Sequence, residues 1–420
     1  MNAAMISVED FAAKARTWLA ENMPPAPPTS IGFVLTSQNP TDEQQLARIQ
    51  TCRRLQRLLF DGGFAGICVP VQYGGQGLTP AHQAAFNTEI APYDYPADIQ
   101  ASTFIPCMAV LLEFGTEEQK QRHIPAMLRG EEIWAQLLSE PSGGSDAAGA
   151  LTTAARDRDQ WVINGSKMWT TAAWYADWAM CLARTNWDVE KHRGLTVFSF
   201  PLATKGVDVH RIELVNGSTE FCQEFLTDVV VADLDRIGDV DAGWDLVGRW
   251  LYHERTISGG RSPYVTGRGN RPSDGPYDAR AMIDTARELG TLNDPRARAL
   301  IGEAHMLSLV MKALAESVTD QMASGALPHH GAAMMRLFSG TMNTRRAAIA
   351  LELCGRHAVA WSPEQTSFDP IGAGYLVRQA ACIGGGTTEM ARSVISERLL
   401  GMPREHRNDT GPFREVPRGS

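Results

Sequence analysis

Trp161-Val162-Ile163-Asn164-Gly165-Ser166-Lys167-Met168-Trp169-Thr170-Thr171 carries the strand-like patterning that replaces the helical one from about residue 135. Its residues are rich in β-branched and aromatic types, and Asn164-Gly165 is a strong hairpin signal, so the stretch predicts strands around a tight turn. Runs of the same kind follow at 178–182, 195–200 and 225–231, separated by turn residues. On both sides the apolar period lengthens. Phe11, Ala15, Trp18 and Leu19 follow helical spacing until Pro24-Pro25-Ala26-Pro27-Pro28 stops it. Residues 41–130 read mostly helical, with Thr41-Asp42-Glu43 as one N-terminal cap and Gly115-Thr116-Glu117-Glu118-Gln119 opening another helix. The Pro- and Gly-dense segment 69–77 interrupts them as a loop. From Gly243 the helical period returns and runs to about Leu400, with breaks at 267–275 and 362–374. The reading is an α+β multidomain chain: an all-α N-terminal domain at 1–134, a β domain at 135–241, helices at 242–405, and a polar tail at 406–420 expected to fray.

Composition narrows the function. With 44% hydrophobic and 21% charged residues, the 420-residue chain has enough apolar surface for large cores, which excludes wholesale disorder. Thirty-nine basic against 48 acidic residues leave a formal charge of −9, which argues against nucleic acid and anionic membrane surfaces as main partners. The seven cysteines are scattered, with no C-x-x-C pair, and read as small buried hydrophobes in a reducing compartment. No histidine cluster suggests a metal. No signal pattern is present at the N-terminus, and no stretch looks apolar enough for a membrane span, so a cytoplasmic protein is expected.

Four constellations carry chemistry. In Leu138-Ser139-Glu140-Pro141-Ser142-Gly143-Gly144-Ser145-Asp146, small residues let backbone N–H groups and hydroxyls approach an anion such as a pyrophosphate; a plain turn is the alternative. Trp169 and Thr171 are two residues apart and so fall on one strand face, where an indole can pack on a flavin ring and a hydroxyl can bond its edge; a core Trp beside a surface Thr is the alternative. After Gly243, positions Val247, Trp250, Leu251 and Glu254 follow i, i+3, i+4, i+7 and place a carboxylate on an apolar stripe. A carboxylate there is either functional or part of an ion pair, with Arg255 next along the chain. Finally, Ile383-Gly384-Gly385-Gly386-Thr387-Thr388-Glu389 brings three glycines into a helix start, whose N–H groups suit an anion or a polarised carbonyl.

Together with 69–77, 115–120, 229–244, 253–255 and the closing 383–404, these motifs resemble the acyl-CoA dehydrogenase family over nearly the whole chain, from about Asp42 to Arg404. The resemblance implies a helical N-terminal domain, a middle β-barrel, a C-terminal four-helix bundle, FAD as cofactor, and homo-oligomers, usually tetramers. It implies that Leu138 and Ser139 hold the pyrimidine side of the flavin, that the Gly144-Ser145 segment reaches the pyrophosphate, and that Trp169 packs on the ring. Thr171 is implied near N5, and Thr387 and Glu389 near the ribose and phosphate side. The reaction implied is α,β-dehydrogenation of an acyl-CoA to the trans-2-enoyl-CoA, with electrons passing to an electron-transfer flavoprotein.

Most members of that family carry the catalytic Glu where this sequence has Gly385. Isovaleryl-CoA and long-chain acyl-CoA dehydrogenases carry it on the first bundle helix before an Arg, which is Glu254 here; the resemblance therefore makes Glu254 the base and the Gly385 N–H an oxyanion donor. The family's Arg-x-x-Phe-Gly segment survives at best as a vestige in 284–294, a departure similar to that of actinobacterial members acting on bulky CoA thioesters, some of them heterotetramers. The alternatives are a flavin oxidase or monooxygenase of the same fold, or an FAD-binding subunit of a heterotetramer.

Overall fold

The protein is described here by a computed structural model covering residues 6–26, 41–258, 262–264, 277–360, 369–404, 406 and 409–417. Helix α1 (Val8–Asn22) starts at Ser7, whose side chain accepts the Asp10 N–H, and buries Phe11, Ala15 and Leu19 along one stripe. Helix α2 (Asp42–Asp61) opens with a capping box in which Thr41 and Gln44 satisfy each other's backbone N–H groups. After α3 (Pro80–Glu89), α4 (Ala97–Ser102) and α5 (Ala109–Phe114) are joined by a wide turn at Thr103–Met108 that accommodates Pro106, which has no N–H to give. Helix α6 (Glu117–Leu128) repeats the capping box with Thr116 and Gln119.

The continuous stretch Ala97–Phe114, with mean hydropathy 1.3, corrects the expectation that nothing here is apolar enough to span a membrane. Its apolarity serves the core instead: Phe104, Ile105, Met108, Val110 and Leu111 are buried against the neighbouring sheet.

That sheet has eight strands: β1 (Trp134–Leu137), β2 (Thr153–Asp157), β3 (Gln160–Thr171), β4 (Trp178–Arg184), β5 (Leu195–Pro201), β6 (Val207–Ile212), β7 (Phe221–Ala232) and β8 (Arg236–Ile237). The pairing order is β6-β7-β3-β2-β4-β5-β8, with β1 beside β4, and its ends are not joined, so the expected barrel is an open sheet. One edge of β4 is shared by two strands. Strand β1 occupies its edge from Trp178 to Cys181, leaving β2 only the Thr153–Arg184 pair. Strand β4 reads as a continuous apolar run because both faces are covered. Trp178, Met180 and Leu182 face the helical core, while Ala179, Cys181 and Ala183 face Trp161, Ile163 and Phe198 inside the sheet.

The hairpin expected at Asn164-Gly165 is not there. Strand β3 runs through both residues, and the β2–β3 turn falls at Arg158-Asp159, with Asp157 paired to Gln160 and Arg158 at φ 58°. Asn164 instead faces an irregularity in β7, where its side chain accepts the Asp228 N–H at 2.8 Å while Asp228 takes φ 48°. The polar amide that can make a turn in its own strand here stabilises a bulge in its neighbour.

Helix α7 (Gly243–Ser258) returns to the first core, burying Leu246, Val247 and Trp250. Helices α8 (Ala279–Glu288), α9 (Pro295–Ala323), α10 (Ala332–Cys354), α11 (Arg356–Val359), α12 (Asp369–Val377) and α13 (Thr388–Val394) follow. A separate core around Met282, Ala286, Ile301, Ala304, Ile349, Leu353 and Ile371 joins α8 to α12. Among the described residues, no hydrogen bond or ion pair links 277–404 to the rest. The expected break at 267–275 lies outside the described residues, as does 362–368, whereas Asp369 already begins α12.

The tail expected to fray is docked. Phe413 is 3% exposed and stacks on Trp187, and its N–H donates to the Val189 carbonyl at 2.8 Å. One aromatic in an otherwise polar segment supplies the apolar area that holds it down.

Candidate active site

Two of the predicted motifs meet on the sheet. Gly143 closes a turn back to the Glu140 carbonyl at 3.0 Å with Pro141 at its second position, so the Ser139 segment is a turn, as its composition allowed. The Met168 N–H donates to the Ser139 carbonyl at 2.9 Å and ties this turn to β3. Underneath, the fully buried Lys167 bonds the Glu140 carboxylate at 2.8 Å and the Leu138 carbonyl at 3.3 Å. Glu140 also accepts the N–H groups of Leu151 and Thr152 at 2.7 and 3.0 Å. Burial works to raise its pKa, but the Lys167 ammonium and these donors outweigh it and hold the carboxyl below its ordinary value. A second buried carboxyl, Glu224 on β7, is paired with Lys167 across the β3–β7 ladder and accepts the Thr170 hydroxyl at 2.8 Å.

Strict alternation fails at Trp169. The register of β3 against β7 shifts between Met168 and Thr170, and Trp169 takes a left-handed φ of 65°. The same-face argument for Trp169 and Thr171 is therefore corrected: Thr170 turns into the core, and the bulge presents Trp169 outward at 49% exposure with Thr171 half-buried beside it. A large aromatic held half-exposed in a conformation that L-residues rarely adopt marks a site where shape outweighs local preference. Gly144 and Ser145 are exposed in the adjoining turn. A Cβ on Gly144 would meet only Ser139, its Oγ at 3.5 Å, and one on Gly143 would meet nothing, so the backbone is open to a ligand.

The glycine motif forms a second group. The Arg336 guanidinium, on α10, donates to the carbonyls of Ala381, Gly384 and Gly386 at 2.8, 2.7 and 2.7 Å. Gly385 and Gly386 stand at φ 72° and 96°, a left-handed pair that a β-carbon would strain. Gly340 lets α10 approach, since a Cβ there would lie 2.8 Å from Thr388 and 3.0 Å from the Ala381 carbonyl. Thr387 caps α13, accepting the Met390 N–H at 3.0 Å. Glu389 is exposed and bonded locally to Thr388 and Arg392. Its own backbone N–H, then Thr388, hold its carboxyl below the ordinary value.

Glu254 is half-buried, one turn beyond the buried Trp250, and with the half-buried Leu251 borders the face of α7 that buries Leu246, Val247, Trp250 and His253. The bearing of α7 is fixed by Glu113 on α5, which takes the Arg249 guanidinium through both oxygens at 2.7 and 2.6 Å and His253 Nε2 at 2.8 Å. Burial, ahead of the opposing Glu113 carboxylate, lowers the His253 pKa. Trp250 Nε1 adds a bond to Gln136 Oε1 at 2.5 Å. The side chain of Arg255, the ion-pair alternative, lies outside the described residues.

Thus the Ser139 turn is bonded to β3 beside Trp169 and Thr171, Thr387 and Glu389 lie at the start of α13 just after Gly385, and Glu254 sits on the helix leaving the first core; no hydrogen bond joins the three groups among the described residues. Lys167, Glu113 and Arg336 went unread in the sequence. Lys167 lay inside the quoted strand, where a lysine at the period of Trp161 and Ile163 was the available signal. The hydroxyl, amide and indole donors of the sheet face suit a flavin and its pyrophosphate: neutral donors for the ring edge, open glycine backbone for phosphate oxygens, and an exposed aromatic face.

Helical, sheet and helical parts in this order, with an exposed indole on the sheet, are the architecture of a family of flavin-dependent oxidoreductases. Models of the acyl-CoA dehydrogenase N-terminal, middle and C-terminal domains match residues 33–131, 135–229 and 277–400. Acyl-CoA dehydrogenase IpdE1 of Mycobacterium tuberculosis is 30% identical over 96% of this chain and 99% of its own. The solved Tcur3481-Tcur3483 steroid ACAD superposes with a TM-score of 0.72 at 24% identity, covering 95% of this chain and 98% of that one. The ChsE4-ChsE5 complex from Mycobacterium tuberculosis gives 0.70 at 24%, covering 96% and 100%. The chain belongs to the acyl-CoA dehydrogenase family. It is an oxidoreductase, and FAD is its cofactor.

Proposed function

We propose that the protein dehydrogenates an acyl-CoA thioester across its α and β carbons, giving the trans-2-enoyl-CoA, with Glu254 taking the α-proton. FAD, when bound, supplies the acceptor for the β-hydride. Leu138, Ser139, Gly144, Ser145, Trp169 and Thr171 hold and orient it from the sheet, and Thr387 and Glu389 lie on its ribose and phosphate side. The Gly385 N–H donates to the thioester oxygen as negative charge gathers there, a task that needs no side chain. Among the described residues this N–H has no acceptor within the chain, which leaves it available. An electron-transfer flavoprotein is the acceptor we assign.

The observation that carries this reading is Glu254. With glycine at 385, the chain holds a carboxylate at the one alternative place on the apolar stripe of α7, and the Glu113 clamp on Arg249 and His253 fixes that helix's rotation. The separate core of α8 to α12 favours a site completed by a neighbouring subunit, either a second copy or a related chain. Mixing the purified holoprotein anaerobically with a panel of acyl-CoAs and following flavin bleaching tests the reaction. Glu254→Gln is expected to slow bleaching by roughly 10²–10⁴-fold, the worth of a positioned general base. Bleaching of that variant at the wild-type rate would refute the assignment, and rapid peroxide formation without another acceptor would point to an oxidase.

A further inference from the structure

The docked C-terminal segment converges on the loop that follows the Ser139 turn. Lys191 is 8% exposed and joins two carboxylates from distant parts of the chain, Asp146, through both oxygens at 2.9 Å, and Asp409. Arg184, fully buried, donates to the carbonyls of Ala148, Ala150 and Lys191 at 2.6, 2.9 and 3.2 Å. Its guanidinium also lies 3.7 Å from the centre of the Phe413 ring, which stacks on Trp187 at 5.4 Å. Backbone bonds from Phe413 to Val189 and from Arg414 to Trp187, at 2.8 and 3.0 Å, and the Arg414–Asp188 ion pair complete the attachment. The same two cations therefore grip residues 146–150 on one side and residues 409–413 on the other.

We infer that residues 409–416 are a clasp that fixes the shape of the loop at 142–150, with Phe413 and Lys191 as positioning residues for the anion end of the cofactor. This rests on the reading of Ser145 and its neighbours as the pyrophosphate-holding segment. Without the tail, Lys191 keeps one carboxylate in place of two, and Arg184 loses the ring that covers it. Both cations then become open to water, and the hold of Lys191 on the Asp146 carboxylate and of Arg184 on the Ala148 and Ala150 carbonyls weakens. The loop would sample more conformations, and ordering it would count against binding.

The test compares the full chain with one ending at residue 408, and with Phe413→Ala and Lys191→Met in the full chain. Amide exchange at Gly149 and Ala150, which close turns onto Asp146 and Ala147, reads the loop directly in the cofactor-free protein. FAD dissociation, measured by flavin fluorescence, reads the consequence. Both exchange and dissociation constant are expected to rise about tenfold in all three variants, one such step corresponding to about 1.4 kcal/mol, with Arg414→Ala close to wild type. Unchanged exchange in the shortened chain overturns the clasp. Faster exchange with unchanged FAD affinity overturns its bearing on the cofactor. A wild-type chain that binds no FAD would defeat the flavin reading itself, and the exchange result would then decide the clasp alone.

Discussion

The sheet face around Ser139 and Trp169 and the glycine loop around Gly385 are built by opposite means. The first is braced from below by buried ionisable groups: Lys167, Glu140 and Glu224 lie at 0, 7 and 0% exposure beneath the turn and the bulge. The second is gripped from the side by one half-buried guanidinium and admitted by one glycine, with Ile383, Gly384 and Gly386 exposed. A face rooted in a low-dielectric core has its geometry decided by the chain that carries it, because any slippage uncovers unpaired charge. A loop held at its rim can adjust to what it meets.

Breaking the brace should have the largest effect. Lys167→Met leaves Glu140 buried with only backbone donors, and a loss of about 3–5 kcal/mol is expected in chemical unfolding. A variant as stable as wild type would show that the face is not rooted in this pair.

The second brace responds to pH. Burial, against the opposing Thr170 hydroxyl and Lys167 ammonium, raises Glu224 to about 7, and its Oε1 is buried without a partner. A carboxyl raised on folding keeps its proton in the native state while the unfolded chain gives it up. Its contribution is therefore full below the unfolded value and is lost as pH rises toward 7. Burial raises Glu220 to about 7 as well, so the two slopes share a sign. Glu224→Gln keeps an acceptor for Thr170 and removes one of them. Relative to wild type, its unfolding free energy should gain at pH 8 over pH 5 by roughly 1–3 kcal/mol, at 1.36 kcal/mol per unit. Equal differences at both pH values would show that Glu224 is ionised when folded.

The smallest effect should come from the rim. Arg336→Ala frees three carbonyls at the loop, yet these are near solvent and can be rehydrated, so global unfolding should shift by no more than about 1 kcal/mol. Turnover should still fall about tenfold because the Gly385 N–H is no longer aimed. A fall in stability as large as that of Lys167→Met would erase the contrast between the two regions.

Much of this was legible because it is local. Thr41 and Thr116 announced their helices by capping chemistry that needs only three residues of context, and Glu254 was singled out by spacing alone. What was misread needed a neighbour. Asn164 has the same sequence whether it turns its own strand or props Asp228 in β7, and the bulge that turns Trp169 outward exists only as a mismatch between two strands. Phe413 lies in a segment that reads as polar, and only Trp187 and Arg184 give it a place.

By itself the sequence determined the order of helical and strand-forming segments, their caps, and the carboxylate and glycines set along them, because hydrophobic period and capping act within a turn or two of chain. Only the tertiary structure decided that the sheet stays open, that Lys167 lies beneath Ser139, that Arg336 grips carbonyls 45 to 50 residues away, and that the chain's end folds back on Lys191. Those are pairings of charges and surfaces whose energies depend on burial, and burial is a property of the whole fold.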